Sequence, residues 1–150
     1  QYLSIPEVNL ILDESLALSY QFLEVENAQV RDLKSYFISE LTNHIPGIKF
    51  NGACSDSEIS TYTLVNICLP VSATSAPMFL FQLDLKGIAC SKGSACQSGS
   101  GKGSHVLAEI LKEEDMKRPS IRFSLSIYNT KKEVQSVVSI LKELVNEANS

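Results

Sequence analysis

The sequence predicts an α/β domain, a small mixed sheet covered by helices, and three observations carry that prediction. Helix-like and strand-like phrases alternate in the order helix, helix, strand, strand, helix or strand, strand, loop, helix, strand, helix. Residues 120–128, SIRFSLSIY, put Ile121, Phe123, Leu125 and Ile127 on one side and Arg122, Ser124 and Ser126 on the other, the period of a half-buried strand. The closing segment pairs Thr130 with Glu133 as a capping box and carries a stripe of Val134, Val137, Val138, Leu141, Leu144 and Val145. With 150 residues, 44% hydrophobic and 20% charged, the chain reads as one domain. A chain of that size buries roughly two thirds of its unfolded surface.

The other elements follow in order. The first residues read as irregular up to Pro6. Helical composition then runs from about Glu7 to Glu26, with Leu16, Leu18, Tyr20 and Leu23 as a partly apolar face. A second helix from about Asn27 to His44 carries Val30, Leu33, Phe37 and Leu41 at helical spacing, and Pro46 and Gly47 end it. GIKFNG is a short strand running into an Asn51-Gly52 turn. STYTLVNICLP, residues 60–70, is rich in β-branched residues and reads as a strand closed by Pro70. APMFLFQLDLKG is ambiguous: Phe79, Phe81, Leu83 and Leu85 alternate like a strand, yet the composition also suits a buried helix. GIACS reads as a short strand feeding a glycine-serine loop, and His105 to Leu111 as a short helix capped by Ser104.

Composition narrows the function classes. The net charge is −4 and no basic cluster occurs, which argues against a nucleic-acid partner. No apolar run approaches the roughly 18 residues of a membrane span, and the first residues lack the pattern of a signal peptide. The expectation is a soluble, cytoplasmic protein with no membrane partner.

Cys54, Cys68, Cys90 and Cys96 include no CxxC pair. Cys68, inside TLVNICLP, reads as a core thiol, and Cys54, in a polar turn, receives no role. A Cys90–Cys96 disulfide is allowed by count but is unusual in a reducing cytosol.

Cys96 stands apart. It lies in SKGSACQSGSGKGS, residues 91–104, which holds four of the seven glycines and five serines. A solvated surface loop is the bland reading, but nothing around Cys96 is apolar enough to enclose it as a structural thiol. A phosphate-binding loop fails on spacing, because Gly103 follows Lys102 and Cys96 stands where the first glycine belongs. Cys90, Cys96 and His105 make a poor metal site, three ligands from one flexible segment with no fourth. What remains is an exposed thiol on a mobile tether, whose reactive form, the thiolate, Lys92 and Lys102 favour if they approach it. Such a nucleophile suits chemistry that collects an atom in one place and delivers it in another. Arg122, read from the residues alone, is a surface ion-pair residue on an exposed strand face.

These same phrases resemble a known family. Gly93-Ser94-Ala95-Cys96-Gln97-Ser98, then Ser104 to Leu107, then Ser120 to Ser124 are similar to the C-terminal motifs of the group I (NifS/IscS-like) cysteine desulfurases. These are pyridoxal-phosphate enzymes of the class V aminotransferase kind. LVNICLP and IPGIKFNG also have counterparts, so the resemblance spans almost the whole chain. Departures are the stretch before Leu16, Ser126 where glycine is common, and the lack of any lysine preceded by histidine, the family's cofactor-lysine phrase.

The resemblance implies the C-terminal small domain of a type I PLP-dependent transferase. It implies a mainly antiparallel sheet with helices on one face and the two N-terminal helices as a bracket. It assigns Cys96 as the catalytic thiol that attacks the sulfur of the substrate and holds it as a persulfide while alanine leaves. Arg122 becomes the binding residue for the substrate carboxylate, a task its planar fork suits. His105 stays outside the catalytic set and Cys90 reads as structural. Pyridoxal 5'-phosphate is implied for a full-length parent whose preceding large domain holds it, so this chain alone is expected neither to bind it nor to desulfurate cysteine. Implied partners are L-cysteine, a sulfur-acceptor or iron-sulfur scaffold protein, and a second copy in a homodimer. Alternatives are a selenocysteine lyase or another enzyme of the same fold, and a stand-alone persulfide carrier.

Overall fold

No glycine or proline interrupts the chain between Pro6 and Pro46, and that stretch forms one helix, not two. In a computed structural model, which describes residues 5–56, 58–72, 76–92 and 118–150, α1 spans Ile5–His44. Its 40 residues make a rod of about 60 Å. The start is therefore helical before Pro6, which sits in the first turn, where its missing N–H has no partner to lose. The expected break near Asn27 is absent because no residue there stops the backbone ladder. Gly47, at φ 81°, turns the chain out of the helix.

Four strands follow: β1 (Lys49–Phe50), β2 (Leu64–Cys68), β3 (Ser91–Lys92) and β4 (Ser120–Ser124). Their order is β1-β2-β4-β3. Every pairing is antiparallel, so the sheet is antiparallel among the described residues rather than mixed. The reason is topological: β4 returns between β2 and β3 and runs opposite to both. The strands are shorter than the alternating sequence runs. Beyond β4 the alternation persists without a full ladder, with Leu125 still buried and its N–H donating to the Thr63 carbonyl at 2.7 Å. Asn129 Oδ1 then accepts from the Ser126 N–H at 2.9 Å, making the turn into the last helix.

The ambiguous segment is a helix, α2 (Ala76–Leu85). Phe79 and Leu83, four apart, are buried, whereas Phe81 and Leu85 are exposed; the working period is helical. Its end supplies the decision: Gly87 has φ 78°, its N–H donates to the Asp84 carbonyl, and the Ile88 N–H reaches back to Leu83, both at 2.9 Å. This is the Schellman arrangement, with Ile88 and Leu83 buried as its apolar pair. The final helix, α3 (Lys131–Ala148), starts with the expected reciprocal cap between Thr130 and Glu133.

The second half of α1 and α3 cover one face of the sheet. Val30, Leu33, Phe37 and Leu41 meet Val65, Ile67, Ile121 and Phe123 and the Val134, Val138, Leu141 and Leu144 stripe in one apolar cluster. Phe37 and Phe123 meet edge to face with centroids 5.3 Å apart, worth about 0.5–1.5 kcal/mol beyond burial. At 3.6 residues per turn, Leu12, Leu16 and Leu23 lie on the same side of α1 as Val30, Phe37 and Leu41. There they are exposed, together with Leu18, Tyr20 and Val25. No helix among the described residues is long and apolar enough to cross a membrane.

Candidate functional site

Because strand side chains alternate, the register that sends Val65, Ile67, Ile121 and Phe123 into the core sends their neighbours to the opposite face. Asn66 is paired with Arg122, Cys68 with Ser120, and Ser91 with Arg122. Arg122 thus sits on a central strand between an amide and a hydroxyl. Cys68 is buried as expected, but alternation places it on this polar face, outside the apolar cluster.

The segment after β1 closes over the same face. Asn51, 4% exposed, donates its backbone N–H to the Asn66 carbonyl at 2.9 Å. Its side-chain Nδ2 donates to Asn66 Oδ1 and to Ser120 Oγ, each at 3.0 Å. Cys54, which had no sequence-based role, donates its Sγ–H to the Asn66 carbonyl at 3.1 Å, and the Asn66 N–H lies 3.4 Å from Sγ. The loop after β1, β2 and β4, far apart in sequence, are thereby tied together around Asn66.

Two buried polar atoms on this face have no hydrogen-bond partner: Asn51 Oδ1 and Arg122 Nε. An orphaned buried group costs about 1–3 kcal/mol, and more when charged. Among the described residues no carboxylate forms an ion pair with Arg122. A guanidinium nitrogen buried without an acceptor is suited to one that arrives with a ligand.

The loop carrying Asn51 and Cys54 is held to α1 by Lys34, whose Nζ donates to Ser60 Oγ and to the Thr61 carbonyl, both at 2.7 Å. Burial lowers the Lys34 pKa from the ordinary lysine value; the nearby Cys54 works against that shift and Arg31 adds to it.

Cys90 is half-buried against the core, and burial, reinforced by Asp84, raises its pKa. This supports the structural reading of Cys90. Since the thiolate is the reactive form, iodoacetamide at pH 8 should alkylate Cys90 several-fold more slowly than a free cysteine peptide, as measured by peptide mass spectrometry. Alkylation at the free-peptide rate would contradict its burial.

Of the sequence-predicted site residues, the structure places Arg122. Cys96, His105, most of the glycine-serine loop and the short helix expected at 105–111 lie outside the described residues. Asn51, Asn66 and Cys54 carried no local signal beyond a turn and a strand.

A family model described as Aminotransferase class-V matches residues 11–137. A protein named "Cysteine desulfurase IscS" from Dictyoglomus turgidum is 29% identical over 136 residues, covering 91% of this chain and 33% of the relative. One of the same name from Ehrlichia chaffeensis is 30% identical over 138 residues, covering 89% and 32%. The chain thus spans about a third of the length of the curated relatives it matches. Among solved structures, a NifS-like protein from Rickettsia africae superposes with a TM-score of 0.64 at 22% identity, covering 87% of this chain and 32% of that one. The aminotransferase TlmJ from Streptoalloteichus hindustanus gives 0.61 at 11% identity, covering 87% and 35%.

Proposed function

This chain belongs to the aminotransferase class-V family, and we propose that it is the C-terminal small domain of a cysteine desulfurase, carrying the substrate-carboxylate residue Arg122 and the sulfur-accepting residue Cys96. The observation that carries this reading is the β3–β4 register. Ser91, the first residue of β3, stands opposite Arg122, and Cys96 follows Ser91 by five residues. Five residues of extended chain span at most roughly 18 Å. By sequence, Cys96 thus follows closely on the strand paired with β4, where Arg122 has a buried guanidinium nitrogen without a hydrogen-bond partner among the described residues.

The roles follow from chemistry. Arg122 takes the carboxylate of the amino-acid substrate in its planar fork and so orients the side-chain sulfur. The Cys96 thiolate attacks that sulfur; an S–S bond forms and the substrate C–S bond breaks. Its electron pair returns to carbon, which takes a proton, leaving alanine and a Cys96 persulfide. The persulfide sulfur is then handed to an acceptor protein, such as an iron-sulfur scaffold.

Pyridoxal 5'-phosphate supplies the electron sink for this chemistry in the whole protein. The polar face described above fits the substrate rather than that cofactor. Its groups are amides, hydroxyls, thiols and a guanidinium, and the sequence has no lysine preceded by histidine. The cofactor-holding residues therefore belong to the remaining length that the relatives possess. The uncovered apolar stripe of α1, Leu12, Leu16 and Leu23, supports a neighbouring domain packed there. Homodimer formation and a cytoplasmic site of action complete the proposal.

The test is turnover by the whole protein that carries this chain, with L-cysteine and L-selenocysteine offered in parallel. Equimolar alanine and persulfide sulfur from cysteine is the expected result. Alanine from selenocysteine alone would transfer the reading to a selenocysteine lyase, and alanine from neither would overturn it.

A further inference from the structure

Asn51 stands one residue past β1. Phe50 packs against the apolar cluster, so strand alternation turns Asn51 to the polar face. Its backbone N–H extends the ladder by one bond, to the Asn66 carbonyl at 2.9 Å, and Gly52, at φ 63°, then takes the chain away. The side chain left on that face is buried, and its bonding is lopsided. Both oxygens that it reaches, Asn66 Oδ1 and Ser120 Oγ, lie 3.0 Å from the same nitrogen, Nδ2, which carries two N–H donors. Its own Oδ1 is buried with no partner. A buried amide that serves packing alone is normally satisfied at both ends.

The two oxygens that Asn51 holds belong to neighbours of Arg122. Asn66 stands directly opposite Arg122 across the β2–β4 pairing, where side chains on one face have Cβ atoms about 4.5–5.5 Å apart. Ser120 precedes Arg122 by two residues on the same strand and face, about 7 Å along it. A guanidinium on a long side chain bonds to an internal acceptor of this kind when one is turned towards it. Nε of Arg122 is nevertheless buried without one.

We propose that Asn51 is a positioning residue for carboxylate capture: it draws Asn66 Oδ1 and Ser120 Oγ to itself and so keeps Arg122 Nε unclaimed until the substrate arrives. The inference deepens the desulfurase reading and rests on Arg122 taking the substrate carboxylate. A guanidinium that gives up no internal bond on binding keeps the whole of the new interaction as affinity. Asparagine suits the task because one nitrogen serves both oxygens, whereas an ionised aspartate has no side-chain donor and serine has one.

The experiment measures kcat and KM for L-cysteine in the whole cofactor-loaded protein. The variants are Asn51→Ala, Asn51→Asp, Arg122→Ala, and Asn51→Ala combined with Arg122→Ala. Asn51→Ala should raise KM about five- to tenfold with kcat within about twofold, because an internal bond to Arg122 must break before substrate binds. Asn51→Asp keeps the size of the side chain and should raise KM at least as much, which keeps the test decisive if Asn51→Ala fails to fold. In the combined variant KM should stay within about twofold of Arg122→Ala alone, since without the guanidinium nothing is left to keep unclaimed. Effects that multiply would mark Asn51 as a general structural residue and overturn the proposal. So would Asn51 variants of unchanged KM beside an Arg122→Ala that raises it, and that outcome leaves the desulfurase reading standing. If Arg122→Ala itself leaves KM unchanged, the carboxylate role of Arg122 falls and the role of Asn51 falls with it.

Discussion

Cys96→Ala should lower alanine formation from L-cysteine by the whole protein by on the order of a thousandfold or more, because on the proposed reading it removes the nucleophile rather than a contact. Cofactor absorbance and substrate affinity stay near those of the unaltered protein, since the side chain is small and its segment is glycine- and serine-rich. Persulfide-specific alkylation followed by mass spectrometry reads the same change directly: a labelled residue 96 before substitution, none after. Cys96→Ser behaves like Cys96→Ala, because a hydroxyl neither ionises near neutral pH nor holds sulfur. Retained alanine release with the label on Cys54 instead would reassign the role, since the Cys54 thiol lies against Asn66 on the polar face.

Arg122→Ala is the second large effect. Losing one member of a desolvated charge pair costs several kcal/mol, so kcat/KM for cysteine should fall roughly 30- to 1,000-fold, chiefly through KM. Arg122→Lys should recover only part of that, because a point charge replaces a planar two-donor fork. Stability moves differently. Nε is buried and unpartnered in the absence of substrate, so its removal relieves a cost, and the melting temperature should hold within about 2 °C or rise. A steep drop in melting temperature with KM unchanged would return Arg122 to a purely structural role. This pairing of outcomes separates a binding residue from a scaffold residue, which activity alone does not.

Two of the elements were written locally enough to be read directly. α3 is announced by a cap and a stripe that lie within one helix, and β4 by an alternation of single residues. Both signals are short in range, and neither needs a distant partner to be interpreted. The polar placement of Arg122 follows from that same alternation. The division of α1 into two helices was a misreading of a signal that was present, the absence of any breaker from residue 7 to 45. The helix-or-strand choice at 76–85 was different in kind. Phe79, Phe81, Leu83 and Leu85 fit both periods, and only the packing that buries Phe79 and Leu83 and the left-handed Gly87 turn settles it.

The sequence by itself determined the α/β class, the strand that carries Arg122, the closing helix and the odd composition of the stretch around Cys96. Each of those depends on residues a few positions apart, whose mutual geometry the backbone period already dictates. Only the tertiary structure decided that Asn51, Cys54 and Ser120 gather around Asn66, that Asn66 and Ser91 flank Arg122, and that Lys34 is buried. Those groupings come from strand order and register, which join positions 15 and 69 residues apart. Sheet register is chosen by the burial of the opposite face, a collective property of the core that no single stretch of sequence contains.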